Sequence, residues 1–262
     1  MRVETVAPRA GAVRRAWGGL AGAVTFLTIL PLPGAGSTAG EFAFADTQAW
    51  FPIVGGAVGA FAGGFRVGLE PLVGAGPSTV VAMIAMVVAT GALHEDALAD
   101  FVDGLGVRGD RARRLAVMRD SATGAFGALA LIAWALLLFT ALEPLSATRA
   151  LLALIAAAAV GRLAALLHGL GAPPALTEGL GSGFRVGIAA AAAAAGSAAL
   201  IAVAAVGPER GAVSLGVCAA VAALSALAAR RAVGGSTGDT IGAAVAVTEV
   251  AVCVALSGLW RV

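Results

Sequence analysis

Long apolar segments alternate with short polar ones along most of the chain, and the apolar segments carry few charged residues. About 20 apolar residues are enough to cross a bilayer as a helix. The clear segments are 50–69, 78–93, 124–142, 147–170, 184–206, 211–229 and a last one that runs to Trp260. This pattern predicts an all-α fold, a polytopic integral membrane helical bundle of about seven spans, formed by a single transmembrane domain over residues 1–262.

The first apolar run is shorter than the others, because residues 17–30 make up only about 14 positions where a span needs about 20. Arg9, Arg14 and Arg15 precede this run, and Pro31 follows it. Arginines next to an apolar segment favour the cytoplasmic side of a membrane. We therefore predict a short N-terminal re-entrant or interfacial helix that does not cross the bilayer, with the N terminus in the cytoplasm.

The composition agrees with a membrane protein. The chain of 262 residues is 60% hydrophobic and 12% charged, whereas soluble domains carry about 25% charged residues. The formal net charge of +2 gives no support for a nucleic-acid partner. Cys218 and Cys253 both lie in apolar runs, so we interpret them as small buried hydrophobic residues.

One polar stretch, residues 93–127, concentrates charge between two apolar segments and holds six of the 15 acidic residues. Asp96, Asp100 and Asp103 have the spacing i, i+4, i+7, which places them within about 60° of one another on a helix. Carboxylates on one face repel each other, and a divalent cation such as Mg²⁺, or protonation of one carboxylate, would relieve that repulsion. A solvated acidic face is the alternative interpretation, but ionisable residues beside a membrane core are usually functional.

The remainder of this stretch predicts local structure. The glycines at 104 and 106 predict a helix break, and Asp110 is a suitable N-cap for a short amphipathic helix that ends near Met118. Asp120 or Ser121 is then expected to cap the following span. The basic residues of the short helix fit either the positive-inside rule or phosphate binding. These residues are Arg111, Arg113 and Arg114.

Several charged residues outside the stretch are candidates for the same site. Arg162 lies some turns inside a span, where an unpaired charge is costly. Asp239 follows the Gly-rich turn 234–238, whose backbone N–H groups are suited to anions, and Glu249 lies about three turns deeper. An even number of predicted spans separates the loops 34–49, 94–122, 171–183 and 230–240. All four loops should therefore lie on one face, which the arginines of the 94–122 loop predict to be cytoplasmic.

Four separated blocks of the chain resemble those of a known family. The run from His94 to Gly104, HEDALADFVDG, resembles the HEDGLADxxDG signature of the cobalamin synthase family, the adenosylcobinamide-GDP ribazoletransferases. Residues 118–127 resemble the family's MRDSxxGxxG block, and FLTILPLP and GGSTGD resemble its N-terminal and C-terminal blocks. This chain departs from the family pattern at Ala97, Ala122 and Ile29, where the family often has Gly, a basic residue and Arg, and no departure removes a carboxylate.

The resemblance implies a bacterial inner-membrane transferase with its active site facing the cytoplasm. Such an enzyme joins adenosylcobinamide-GDP to α-ribazole or its 5′-phosphate, in the last steps of cobalamin biosynthesis. The ribazole 5′-hydroxyl would attack the cobinamide-side phosphorus, and GMP would leave. The implied partners are these two substrates and the lipid bilayer, and the implied cofactor is Mg²⁺.

The resemblance also implies roles for individual residues. The metal ligands would be Asp96, Asp100, Asp103, Asp120 and Asp239. The catalytic residues would be Glu95 or His94 as the base, with Arg119 and Arg162 in contact with phosphate. Substrate would also be bound by Arg111, Arg114, Ser121 and Gly238.

Two other functions are weighed against this one. A CDP-alcohol-type phosphatidyltransferase also places aspartates on facing membrane helices, and Asp103-Gly104 begins its motif, but the later spacing does not match. A cation or proton transporter would carry acidic residues in several spans near the midplane. Here six of the 15 acidic residues cluster in one stretch, and only Glu249 lies deep in a span.

Overall fold

A computed structural model of the chain describes residues 7–33, 44–176 and 184–261. In these ranges every regular element is a helix, apart from one isolated bridge between Pro174 and Ser236. The helices are α1 (Ala7–Leu27), α2 (Phe44–Gln48), α3 (Phe51–Val73), α4 (Ala75–Thr90), α5 (Leu93–Gly106), α6 (Arg111–Val117), α7 (Ala125–Leu142), α8 (Ala147–Gly171), α9 (Ile188–Val206), α10 (Pro208–Val233) and α11 (Gly238–Arg261). Parts of two predicted loops, 34–43 and 177–183, lie outside the described residues.

The helices confirm the predicted fold class of a polytopic all-α membrane protein. Six are long and apolar enough to cross a membrane, and α4 with α5 gives a seventh candidate that is bent by 87°. The bend falls at Gly91 and Ala92, which both have left-handed backbone angles with φ of 63° and 58°. The second predicted span therefore ends three residues early, because the left-handed pair stops α4 at Thr90 and redirects the chain into α5.

The N-terminal helix differs from its prediction in length. We expected a helix of about 14 residues from Trp17, but α1 begins at Ala7 and is 21 residues long. Alanine and arginine favour helix in the segment before Trp17, although they add no apolar periodicity that would mark it. Among the described helices, α1 is not one that is apolar enough to span a membrane, in agreement with a helix that does not cross.

Helix α8 forms the centre of the bundle and packs against α3, α9, α10 and α11. Most of its residues are buried, and many are alanines, so neighbouring helices approach its backbone closely. The predicted glycine face of α3 is the clearest case: a Cβ added at Gly59 would lie 2.6 Å from the carbonyl carbon of Leu154. One added at Gly55 would lie 2.7 Å from Cδ of Arg162. Close helix packing on small residues thus fixes the position of Arg162.

A buried arginine also joins the helices at the opposite end of the bundle from α5. Arg66 in α3 forms an ion pair with Glu70 at 2.7 Å and donates to Ser78 Oγ at 3.0 Å. Its second terminal nitrogen donates to the carbonyl oxygen of Leu145 at 3.2 Å. One side chain therefore ties α3 and α4 to the turn between α7 and α8, which is a structural role that we did not predict.

Candidate active site

The polar segments meet at one end of the bundle, as the even span count predicts. Arg111 donates to the backbone carbonyl oxygens of Val233, at 2.6 Å, and Ala175. Ala175 N in turn donates to Ser236 O, and Ser236 N donates to Pro173 O, both at 2.8 Å. The stretch after α5, the end of α8 and the turn before α11 therefore form one surface. Gln48 at the end of α2 donates to the carbonyl oxygen of Arg185 at 3.1 Å, which joins α2 to the segment before α9.

Helix α5 carries the acidic signature, and its residues separate into inward and outward sets. His94, Glu95 and Asp103 are buried, Asp100 is half-buried, and Asp96 is exposed. On the inner side, α5 packs against α7 and α11. The contact with α11 is close, because a Cβ added at Gly242 would lie 2.5 Å from the Cβ of Ala97.

Asp103 holds α7 in place through its carboxylate. Its two oxygens accept hydrogen bonds from Gly124 N at 2.7 Å and from Gly127 N at 2.8 Å, where α7 begins. A Cβ at Gly124 would lie 2.8 Å from Cγ of Asp103, so the carboxylate reaches this backbone only because glycine is present. The expectation that Asp120 or Ser121 caps α7 is wrong, because the first N–H groups of the helix are satisfied by Asp103 instead.

Three other carboxylates lie together at the mouth of the site. Asp96, Asp239 and Asp103 all exert electrostatic repulsion on the carboxylate of half-buried Asp100, which desolvation also disfavours as an anion. Asp239 also interacts with Asp96, and Arg119 offsets part of its negative field. The structure therefore confirms that Asp239, at the start of α11, lies close to the acidic face of α5.

A cavity of about 230 Å³ opens between α1, α3, α5, α8 and α11. One part of its wall is polar and is formed by His94, Asp96, Arg162 and Asp239, with Gly238 beside them. The rest is apolar and includes three phenylalanines, Phe26, Phe51 and Phe184. The rings of Phe26 and Phe51 stack with centroids 5.6 Å apart, and those of Phe51 and Phe184 are 6.3 Å apart.

A buried charge cluster lies at the polar part of this wall. Arg162 in α8 is 1% exposed and forms an ion pair with Glu249 in α11, which is 2% exposed. Its Nε and Nη2 atoms have no hydrogen-bond partner, and neither have the two ring nitrogens of His94 or Oε2 of Glu95. The charge of Arg162 acts on both His94 and Glu95. Because unpartnered buried polar groups are costly, these donors and acceptors suit a polar ligand.

The turn before α11 is fixed by hydroxyl groups and a histidine. Thr240 Oγ1 accepts from Thr237 N at 2.9 Å, and Thr240 N donates to Thr237 Oγ1 at 3.2 Å. His168 in α8 forms hydrogen bonds with Thr240 Oγ1 at 3.0 Å and with Ser225 Oγ at 2.9 Å. Gly234 ends α10 with a φ of 82°, a backbone angle that favours glycine. This network fixes the turn that places Asp239 at the cavity wall.

Several predicted site residues lie away from the cavity wall. Arg111 is held by backbone carbonyl oxygens, as described above, and Arg114 is half-buried in α6. Asp120 and Ser121 are exposed, and the Asp120 carboxylate accepts from Ala122 N at 3.0 Å. The predicted N-cap of α6 is confirmed, because Asp110 Oδ1 accepts from Arg113 N at 3.0 Å.

The composition of the site suits a divalent cation bound together with its substrate. Among the described residues, no group of three His, Cys, Asp or Glu side chains is arranged as a preformed metal site. Mg²⁺ commonly binds one or two carboxylates and completes its shell with water and substrate phosphate oxygens. Asp96 and Asp239 on the cavity wall, with Asp100 beside them, match that mode of binding.

Sequence reasoning did not find the aromatic wall. Phe26, Phe51 and Phe184 lie in or beside apolar segments, where nothing in the pattern separates a cavity residue from a core residue. The FLTILPLP and WFPIVGG blocks contain the first two of them, so the blocks were a usable signal. The partner of Arg162 was also not assigned, although Glu249 was noted as an acid deep in a span.

Comparison with known proteins gives a consistent result. The model of the cobalamin-5-phosphate synthase family matches residues 19–257. A protein from Mesorhizobium japonicum named adenosylcobinamide-GDP ribazoletransferase is 39% identical over 245 residues, which cover 89% of this chain and 90% of the relative. Proteins of the same name from Azorhizobium caulinodans and Xanthobacter autotrophicus are 38% and 40% identical, over 87% and 92% of this chain and 91% and 94% of their own lengths. No solved structure matches the chain.

Proposed function

The chain belongs to the cobalamin-5-phosphate synthase family, and on that premise we propose that it is a membrane-embedded adenosylcobinamide-GDP ribazoletransferase. It joins adenosylcobinamide-GDP to α-ribazole or its 5′-phosphate, releases GMP, and yields adenosylcobalamin or its phosphate. The observation that carries this proposal is the cavity wall on which His94, Asp96, Arg162 and Asp239 lie together. These residues come from three helices, and their chemistry suits a diphosphate and a hydroxyl nucleophile.

The reaction exchanges one P–O bond for another. A ribose hydroxyl of the acceptor loses its proton and attacks the cobinamide-side phosphorus, while the bond from that phosphorus to the bridging oxygen breaks and GMP departs with the electron pair. The expected attack by the 5′-hydroxyl does not apply to the acceptor with a 5′-phosphate, because that acceptor has no free hydroxyl at that position. A hydroxyl on the ribose ring is free in both acceptors and can act as the nucleophile in each.

The residues of the cavity wall divide these tasks. Asp96 and Asp239, supported by Asp100, would hold Mg²⁺, which when bound neutralises charge on the diphosphate. Arg162 has two unpartnered N–H-bearing nitrogens with which to bind a phosphate oxygen, and exposed Arg119 lies near Asp239. His94 is the better placed of the two candidate bases, since it lines the cavity and neither ring nitrogen is engaged.

The same arrangement supports a position and an orientation in the cell. Six helices suited to crossing a membrane make the chain a multi-pass membrane protein. We assign it to the bacterial inner membrane with the cavity end in the cytoplasm. Support comes from the exposed arginines near the cavity end, which follow the positive-inside rule. These are Arg108, Arg113, Arg119, Arg230 and Arg231.

The test is an assay of the purified protein in detergent for GMP release from adenosylcobinamide-GDP. We expect release that requires both α-ribazole and Mg²⁺ and that stops when EDTA is added. Asp239→Asn should raise the Mg²⁺ concentration needed for half-maximal rate, whereas Asp110→Asn, which keeps the N-cap of α6, should not. No corrinoid product from the wild-type protein under any of these conditions would refute the proposed function.

A further inference from the structure

The cavity has two chemically different parts that must receive different parts of a substrate. The polar part has been assigned to the reacting groups. The apolar part is formed by side chains without a hydrogen-bonding atom, on α1, α3, α5, α8, α11 and the segment before α9. They include Phe26, Phe51, Leu93, Phe184, Ile241 and Val245.

We propose that this apolar part is the binding subsite for the heterocyclic base of the acceptor, and that the three phenylalanines determine which base the enzyme uses. The inference rests on the proposed function and goes further, because it assigns one substrate fragment to named residues. The base of α-ribazole is a dimethylbenzimidazole, a flat bicyclic ring that carries two methyl groups. Flat aromatic groups stack favourably on phenylalanine rings at the centroid distances seen in this wall.

Size and polarity exclude the other fragments of the two substrates. The cavity volume of about 230 Å³ is below the range of about 300–1,000 Å³ that is typical of ligand pockets. The corrin macrocycle is therefore too large to enter it. Guanine is flat but carries a carbonyl oxygen, an amino group and ring nitrogens, each of which needs a hydrogen-bond partner when buried. The apolar part of the wall offers none.

The position of the subsite also explains how the acceptor is oriented. The apolar wall and the polar wall belong to the same cavity, and α11 contributes Ile241 and Val245 to the first and Asp239 to the second. A base held against Phe51 and Phe184 therefore directs the attached ribose toward His94 and Asp239. Binding of the base would thus place the attacking hydroxyl beside the carboxylates, which is a positioning effect on the reaction.

The first test uses the wild-type enzyme and three acceptors that share the ribose. These are α-ribazole, the α-riboside of unsubstituted benzimidazole and the α-riboside of adenine. We expect KM for the acceptor to rise in that order, as methyl groups are lost and polar atoms are added, while KM for adenosylcobinamide-GDP stays constant. Equal KM values for the three acceptors would overturn the assignment of the base to this wall.

The second test uses variants. Phe184→Leu should raise KM for α-ribazole by roughly 3- to 10-fold, the effect of losing one aromatic contact, with KM for adenosylcobinamide-GDP unchanged. Val245→Phe should fill the subsite and raise KM for α-ribazole further. The matched control is Phe61→Leu, because Phe61 lies on α3 and is 53% exposed, away from the cavity wall.

The outcomes separate the two proposals. A wild-type enzyme without ribazoletransferase activity counts against the proposed function, whereas an active wild type whose variants change only KM for adenosylcobinamide-GDP overturns the subsite and points to guanine in its place. If a variant does not fold, calorimetric binding of α-ribazole against adenine α-riboside to the wild-type protein still decides. Equal affinities for the two would contradict the inference.

Discussion

Arg162 of α8 and Glu249 of α11 form an ion pair inside the membrane bundle, and both side chains are almost completely buried. The pair fixes one terminal nitrogen of Arg162, which also donates to the carbonyl oxygen of Ala158 at 3.4 Å. The remaining side-chain nitrogens lie without partners at the cavity wall. Glu249 therefore orients a guanidinium group that lines the cavity.

Breaking this pair from one side should be costly. Glu249→Gln removes the ion-pair partner of a buried guanidinium, and we expect a loss of about 3–5 kcal/mol in the free energy of unfolding. The double variant Arg162→Met with Glu249→Met removes both charges and should recover most of that stability, yet stay inactive because Arg162 is gone. Thermal unfolding in detergent and GMP release measure the two effects. If the double variant regains activity along with stability, Arg162 does not contact substrate.

The three aspartates of α5 should respond differently to the same substitution. Asp103→Asn removes the negative charge from the side chain that accepts hydrogen bonds from two backbone N–H groups. A hydrogen bond to a charged group contributes about 1.5–3 kcal/mol to stability. We expect a lower unfolding temperature for this variant. Asp96→Asn and Asp100→Asn should leave the unfolding temperature unchanged or raise it slightly, because they relieve repulsion, and should lose GMP release.

Asp110→Asn provides the control for this series, because Asn caps a helix as well as Asp does. It should change neither the unfolding temperature nor the rate. The division of roles would be contradicted if Asp103→Asn kept full stability and lost only activity, since Asp103 would then act as a metal ligand like its neighbours.

Two glycines of α3 allow a matched test of helix packing. Gly59→Ala places a methyl group against the backbone of α8, and overpacking of this kind costs about 1–3 kcal/mol. Gly68→Ala has no heavy atom within 4 Å of the new Cβ and should stabilise the helix by about 0.5–1 kcal/mol. Chemical denaturation in mixed micelles reports both changes. Equal effects would show that α3 and α8 are farther apart than the structure places them.

The orientation of the protein can be read from cysteine labelling in intact cells. Arg113→Cys lies on exposed α6 at the cavity end, and Thr148→Cys is exposed near the start of α8 at the other end. A reagent that does not cross membranes should label the second and spare the first. Cys218 and Cys253 are buried, so the background is low. If the reagent labelled only Arg113→Cys, the protein would have the opposite orientation to the one proposed.

The span count was enough to predict which carboxylates lie at the same end of the bundle. The sequence did not predict which helices contact each other there. An even number of spans brings Asp239 to the end where Asp96 lies, and the structure agrees. Helical spacing also placed Asp103 on the face of Asp96 and Asp100, but spacing does not show that α7 approaches this position. The glycines at 124 and 127 were the available signal, since each leaves room for the Asp103 carboxylate.

The aromatic wall was beyond reach for a related reason. Phe26 and Phe51 stack on each other from different helices. The sequence pattern around an apolar residue in an apolar segment is the same whether its side chain faces lipid, the core or a cavity. The early start of α1 was missed because helix propensity without apolar periodicity leaves little trace in the pattern. The structural role of Arg66 was not predicted, because its neighbours form a clearly apolar span.

The alanine-rich surface of α8 has a consequence for how the enzyme exchanges its substrates. Helices packed at backbone contact cannot slide past one another without collision, so α3, α8 and α11 form a rigid frame around the cavity. Helix α1 packs mainly on α2 and α3, yet it supplies Phe26 and Leu27 to the cavity wall. We therefore expect acceptor and product to pass by displacement of α1 rather than of the frame, and we expect the rate of turnover to change with the lipid around that helix.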